Sequence, residues 1–334
     1  MKSSKFIVIV SKLNVLLVCT ICLFAACAGK SKSDQKSVDT VSIPQFSSDS
    51  AYQFVQRQVD FGPRVPGTKA HAACADFFVK TLESFGAQVE VQNGEAALYD
   101  GRTMKLKNII ATYSPEASKR ILLCAHWDTR PYADHDKNPA NHHTPILGAN
   151  DGASGVGVLL EVARQLHINQ PAIGVDIVFF DLEDWGTPEF YTGPQSEDTW
   201  CLGSQYWANE AKKNAYKPEF GILLDMVGAP SAQFYKEQIS TYYGSFAVEK
   251  VWDSAQSLGF GNLFVNQSGG AITDDHLYIN KLANIPCIDI IQYNPYGDSG
   301  FGDYWHTLDD TMKNVDKNTL YVVGQTLLQV IYND

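Results

Sequence analysis

Val175-Asp176-Ile177-Val178-Phe179-Phe180-Asp181-Leu182-Glu183-Asp184 is a short β-branched and aromatic run that stops at a group of acids. It predicts a buried strand over Val175–Phe180 with a polar carboxyl end. The same arrangement repeats on either side. Strands are expected at Val89–Gln92, Asn108–Tyr113 and Ile121–Ala125 before it, and at Gly221–Asp225 and Cys287–Ile291 after it. Helical periodicity fills the intervals at His71–Phe85, from Ala153 onward, and at Leu202–Ala211, Phe246–Leu258 and Asp275–Lys281, and Lys317–Ile331 closes the chain. This alternation predicts an α/β domain: a mostly parallel, twisted central sheet with helices on both faces, in three layers.

In open sheets of this kind ligands bind beyond the carboxyl ends of the strands, so the residues just after each apolar run are the ones to read. His126 and Asp128 follow Ile121–Ala125, Asp151 follows the next loop, Glu183 and Asp184 follow Phe180, Asp225 ends Gly221–Leu224, and His306 follows Cys287–Ile291 and its loop. Without thiolates, zinc takes His nitrogen and carboxylate oxygen, and a catalytic site leaves one position open. Asp151, Asp184 and His306 can supply such a set. Adjacent residues at a strand end point to different sides, so Glu183 can face substrate as acid or base while Asp184 holds metal.

The remaining composition bounds the alternatives. The 334 residues carry a net charge of -11 with no Lys/Arg stripe, which excludes binding to a phosphate backbone. Lys2, Lys5 and Lys12 precede an apolar run over Val15–Ala26 that is too short to span a membrane, so residues 1–26 are expected to be an export signal. Leu23-Phe24-Ala25-Ala26-Cys27 resembles a bacterial lipobox, with Cys27 lipidated and the protein held in the periplasmic envelope. Residues 27–50 are polar and are expected to form a solvated tether, leaving 51–334 as one catalytic domain. Cys74, Cys124, Cys201 and Cys287 have no CxxC spacing and read as buried small groups, although one bridge stays open. Gly152, Gly155 and Gly157 lack a phosphate-loop ending and read as close packing at a helix start. Tyr242, Tyr243, Phe246 and Trp252 suit core packing at least as well as a binding surface, and the loop with His135, His142 and His143 reads as solvated.

Val59-Asp60-Phe61-Gly62-Pro63-Arg64-Val65-Pro66-Gly67, Ala125-His126-Trp127-Asp128 and Gly148-Ala149-Asn150-Asp151-Gly152-Ala153-Ser154-Gly155 resemble the zinc aminopeptidase superfamily. Phe179-Phe180-Asp181-Leu182-Glu183-Asp184, Leu202-Gly203-Ser204, Leu224-Asp225-Met226-Val227-Gly228 and Trp305-His306-Thr307 extend that resemblance in the family's order. Within it, Trp305 before His306, and Asp274 before Asp275-His276 where aminopeptidases usually have a small residue, resemble the animal-type glutaminyl cyclases. Those enzymes convert N-terminal glutamine to pyroglutamate and release ammonia with one zinc ion. Asp184 stands where animal cyclases have glutamate. No tryptophan aligns with the other aromatic wall of their pocket, which leaves Trp185, Phe190 and Trp200 as candidates.

The resemblance implies zinc on Asp151, Asp184 and His306, proton transfer by Glu183, an acidic hydrogen-bonded group of Asp225 and Asp274, and an apolar wall at Trp305. His126, Asp128 and Asp275 are expected behind these residues, orienting them. The expected substrates are peptides or proteins with N-terminal glutamine, and no partner protein is evident. Two other readings stand beside this one. A two-zinc aminopeptidase would bind its second ion through His126 and Asp225, with Asp151 joining the metals. A non-catalytic envelope binding protein would have no use for the intact set of Asp151, Glu183, Asp184 and His306.

Overall fold

The computed structural model describes residues 42–297 and 299–334, so the signal segment and Cys27 lie outside the described residues. The order of elements is α1 (Ser48–Val59), α2 (Lys69–Ser84), β1 (Gln88–Ala97), β2 (Thr103–Tyr113), β3 (Arg120–His126), α3 (Ala153–Ile168), β4 (Gly174–Phe180) and α4 (Leu202–Lys213). Then come β5 (Gly221–Asp225), β6 (Phe234–Lys236), α5 (Gln238–Ser257), β7 (Phe264–Ser268), α6 (Asp275–Tyr278), β8 (Cys287–Ile291) and α7 (Lys317–Tyr332). The main sheet has six strands in the order β1-β2-β4-β3-β5-β8, with a separate pair β6-β7. Strands β4, β3, β5 and β8 pair in parallel, whereas β2 pairs antiparallel with both β1 and β4.

Alternation along β3 divides the interior. Ile121, Leu123 and Ala125 enter the large core with α1, α2, α3, α5 and α7, while Leu122 and Cys124 face the smaller core beneath Trp207 and Ala208 of α4. Helices therefore cover both faces, as the alternation of elements predicts. All four cysteines among the described residues are buried and free. The glycines at the start of α3 let segments touch: a Cβ on Gly155 would lie 2.3 Å from the Leu224 carbonyl oxygen, and one on Gly157 would lie 2.5 Å from Val55.

Three expectations change. The tether expected to run to Ser50 ends earlier, because residues 42–50 pack on the body. Phe46 is buried, its N–H donates to Gln325 Oε1 at 2.9 Å, and its ring fills the space that a side chain at Gly324 would need. The polar composition hid this segment, since its apolar contact with the core is made by Ile43 and Phe46. Helix α5 begins at Gln238 rather than Phe246; Gly244 breaks its φ/ψ regularity and so obscured the period. Trp252 is buried in the core, but Tyr242, Tyr243 and Phe246 are exposed. No helix among the described residues is long and apolar enough to cross a membrane.

Glu237 joins three of these parts. Its carboxylate caps α5 by accepting from the N–H groups of Ile239 and Ser240, accepts from the Ile272 N–H at 3.0 Å, and lies 3.1 Å from His276 Nε2. Burial raises its pKa, but the His276 contact and the capping N–H groups outweigh burial and hold it at about 2. A folded-state value below the unfolded value of about 4.3 gives stability that is present above that pH and lost as pH falls toward 2. Glu237→Gln is expected to cost about 1–2 kcal/mol at pH 7 and to flatten the loss of stability between pH 4 and pH 2. Thermal unfolding at pH 7 and pH 3 measures both.

Candidate active site

The carboxyl ends of β3, β4 and β5 bring His126, Glu183, Asp184 and Asp225 to one edge of the sheet, the turn before α3 adds Asp151, and the loop after β8 adds His306. Leu182, Met226 and His306 have φ of +54°, +47° and +54°, in the left-handed region that non-glycine residues seldom adopt. Sharp backbone turns thus set the direction of the side chains at the strand ends. Asp128 is the organiser between β3 and β4: Oδ1 accepts from the Glu183 N–H at 3.1 Å and Oδ2 from the Asp184 N–H at 3.3 Å. Asp310, which the sequence reading passed over, accepts from the N–H groups of Asn150 and Asp151 at 2.8 and 3.1 Å and fixes the turn that presents Asp151.

Ligand atoms of Asp151, Asp184 and His306 lie within 4.8 Å of one another, all on buried residues. Nε2 of His306 is 3.2 Å from Asp184 Oδ1 and 3.7 Å from Asp151 Oδ2. Both carboxylate oxygens of Asp184 are buried without a hydrogen-bond partner. Burial, reinforced by Asp151, raises the Asp184 carboxyl well above its ordinary range. Burial and the nearby Arg130 guanidinium lower His306 well below its usual value, leaving the neutral imidazole that ligates metal. Two crowded carboxylates and one neutral imidazole are a set that a zinc ion fits.

Behind this set, His126 Nε2 sits 3.0 Å from Asp151 Oδ1 and 3.2 Å from Asp225 Oδ1. A single proton can tie these groups together, and the same atoms could also hold an ion. Asp274 caps α6 through the Asp275 N–H, and its carboxyl is pushed up to about 7 by burial and then by Asp225. Asp275 is fully buried beside it. Glu183 faces the same acids, with its Oε1 3.2 Å from the Cys201 thiol.

These groups open on a cavity of about 390 Å³ lined by Asp151, Glu183, Asp225, Asp274, Trp200 and Trp305, among others. Larger clefts, of about 450, 670 and 860 Å³, are lined by none of the ligand candidates. Trp305 stacks on His306 with centroids 3.8 Å apart, and Trp200 lies parallel to the same imidazole at 5.9 Å. Of the three candidates for the second wall, Trp200 fills the role. Trp185 is buried in a satellite core, and Phe190 packs against Tyr132 and His143. The loop expected to be solvated reaches the site: Asp134 is buried in an ion pair with Arg130, and His135 packs on Trp305 at 4.4 Å. Its polar composition concealed that Asp134 has a buried cationic partner.

The chain belongs to peptidase family M28, whose sequence profile matches residues 108–331. A solved glutaminyl cyclase of Tannerella forsythia is 56% identical, with a TM-score of 0.85 over 87% of this chain and 100% of its own. A Zn-dependent exopeptidase of Parabacteroides distasonis is 53% identical, with a TM-score of 0.86 over 88% of this chain and 100% of its own. The glutaminyl-peptide cyclotransferase of Drosophila melanogaster is 26% identical over 286 residues, 77% of this chain and 73% of that protein. Family and fold both imply zinc. Asp184→Ala is expected to lower zinc affinity by at least about 100-fold while the fold persists, as measured by metal content after dialysis and by circular dichroism.

Proposed function

We propose that the protein is a glutaminyl-peptide cyclotransferase that converts the N-terminal glutamine of peptides or proteins to pyroglutamate and releases ammonia. The observation that carries this reading is Asp274, which lines the cavity with Glu183 and Asp225, between the tryptophan walls. The likeness to the Tannerella forsythia and Drosophila melanogaster cyclases supports it. One zinc ion on Asp151, Asp184 and His306 would supply Lewis acidity to the substrate's amide oxygen.

The reaction needs no nucleophile from the protein, because the α-amine nitrogen forms a bond to the γ-carboxamide carbon of the same residue while the bond from that carbon to the amide nitrogen breaks. Glu183 takes the proton from the attacking amine and returns it to the departing ammonia. Burial raises its carboxyl well above the usual range; His126 partly offsets this and Asp184 and Asp274 reinforce it, making Glu183 a stronger base than an exposed glutamate. Asp225 and Asp274 share a proton, since neighbouring buried carboxylates do not all ionise, and so present both an acceptor and a donor to the substrate's amino end. Trp305 and Trp200 orient the glutamine side chain and exclude water. His126 and Asp128 hold the acids in place, as does Asp275 from the start of α6.

A two-zinc aminopeptidase is the second reading, favoured by the His126–Asp151–Asp225 cluster and by the exopeptidase neighbour. In the cell, Cys27 carries lipid and residues preceding the folded body tether the enzyme to a membrane of the bacterial envelope. Glu183→Gln tests the mechanism: it is expected to retain zinc and to lose about 10²–10⁴-fold in turnover of a Gln-initiated peptide. Mass spectrometry should show the wild-type product as the full-length peptide less one ammonia. Wild-type turnover in the variant, or a peptide shortened by one residue, contradicts the assignment.

A further inference from the structure

Arg130 is only 1% exposed and lines no part of the substrate cavity, yet it touches Asp134, Asp184 and Trp200 on one side of the site. Its Nε and Nη2 donate to the two oxygens of Asp134 at 2.7 and 2.5 Å. Its Nη1 donates to the Asp184 carbonyl oxygen at 3.1 Å and stands 3.7 Å from Asp184 Oδ1. The guanidinium carbon lies 4.6 Å from the centre of the Trp200 ring. Asp134, gripped on one side, stands 3.7 Å from His306 Nδ1 on the other, and that nitrogen is buried without a hydrogen-bond partner. Asp134 also accepts from the Glu189 N–H at 3.0 Å, which fixes it against the loop after β4.

We infer that Arg130 is a positioning residue that ties two proposed zinc ligands, Asp184 directly and His306 through Asp134, to the Trp200 wall, so that metal retention and substrate orientation depend on one support. The planar fork explains why arginine stands here. Two edges engage Asp134 and Asp184 while the face stacks on an indole, a combination that the point charge of lysine cannot reproduce. The parallel arrangement of Trp200 and His306, 9° between planes, puts the wall in register with the ligand it is coupled to. A tilt of the guanidinium therefore moves both.

This inference rests on the zinc and cyclase reading of the site, and its main readout, zinc release to a chelator, needs no substrate and so stands or falls apart from the identity of the product. Arg130→Lys is expected to release zinc about 10-fold faster and to raise KM more than it lowers kcat. Removing the charge outright would leave Asp134 buried and unpaired and endanger folding. Trp200 avoids that difficulty, being only partly buried and no metal ligand. Trp200→Leu is expected to speed zinc release several-fold, Trp200→Phe to restore the wild-type rate, and Arg130→Lys with Trp200→Leu to raise KM by less than the product of the single effects. Wild-type zinc release in both Arg130→Lys and Trp200→Leu, with only the Tm lowered, overturns the proposal, as do KM effects that multiply independently.

Discussion

The carboxylates of Asp151, Glu183, Asp225 and Asp274 line one pocket, with Asp184 buried next to Asp151, and such a density of like charge is stable only where protons are shared or cations are present. The surrounding structure answers that constraint. Arg130 and His126 provide positive charge from behind, Asp128 and Asp310 spend their oxygens on backbone N–H groups rather than facing the pocket, and Asp274 keeps its proton up to about neutral pH. The unpartnered oxygens of Asp184 mark where the remaining compensation belongs. Zinc fits that position because the His306 imidazole, 3.2 Å from Asp184 Oδ1, is held neutral.

The sheet supports this crowding by delivering Glu183 and Asp184 from the end of β4 and Asp225 from the end of β5, with Asp151 added by the turn before α3. Each of β3, β4 and β5 ends at the same edge, so charge repulsion is resisted by cores on both faces of the sheet rather than by any one loop. The substrate side is built from different material. The segment around Asp274 hangs on Glu237 and His276, and the aromatic walls come from the loops that carry Trp200 and Trp305. A rigid acidic edge thus meets a loop-built aromatic lining, which suits an enzyme that must hold the charge fixed while admitting one peptide end.

Much of this was legible in the sequence because strands buried on both faces are written as apolar runs, and their polar ends stand out. His126, Glu183, Asp184 and Asp225 were found that way, and the structure gathers them with Asp151 and His306. What escaped detection depends on contacts distant in sequence. Phe46 looks like part of a polar tether until Gly324 makes room for it, and Asp134 looks like a loop acid until Arg130 grips it. Trp200 could not be ranked above Trp185 or Phe190, since only the path of the loop after β4 decides which ring reaches His306. Glu237 lies far in sequence from Ile272 and His276, and no periodicity links them.

The most direct test of the account follows ammonia release from a Gln-initiated dipeptide beside amino-acid release from a Leu-initiated peptide, on protein lacking the residues before Ala28 and assayed for zinc. The account predicts ammonia with the cyclised product, no free leucine, and about one zinc per chain. Free leucine with about two zinc ions per chain, and no ammonia, would contradict it and make the His126–Asp151–Asp225 cluster a second metal site.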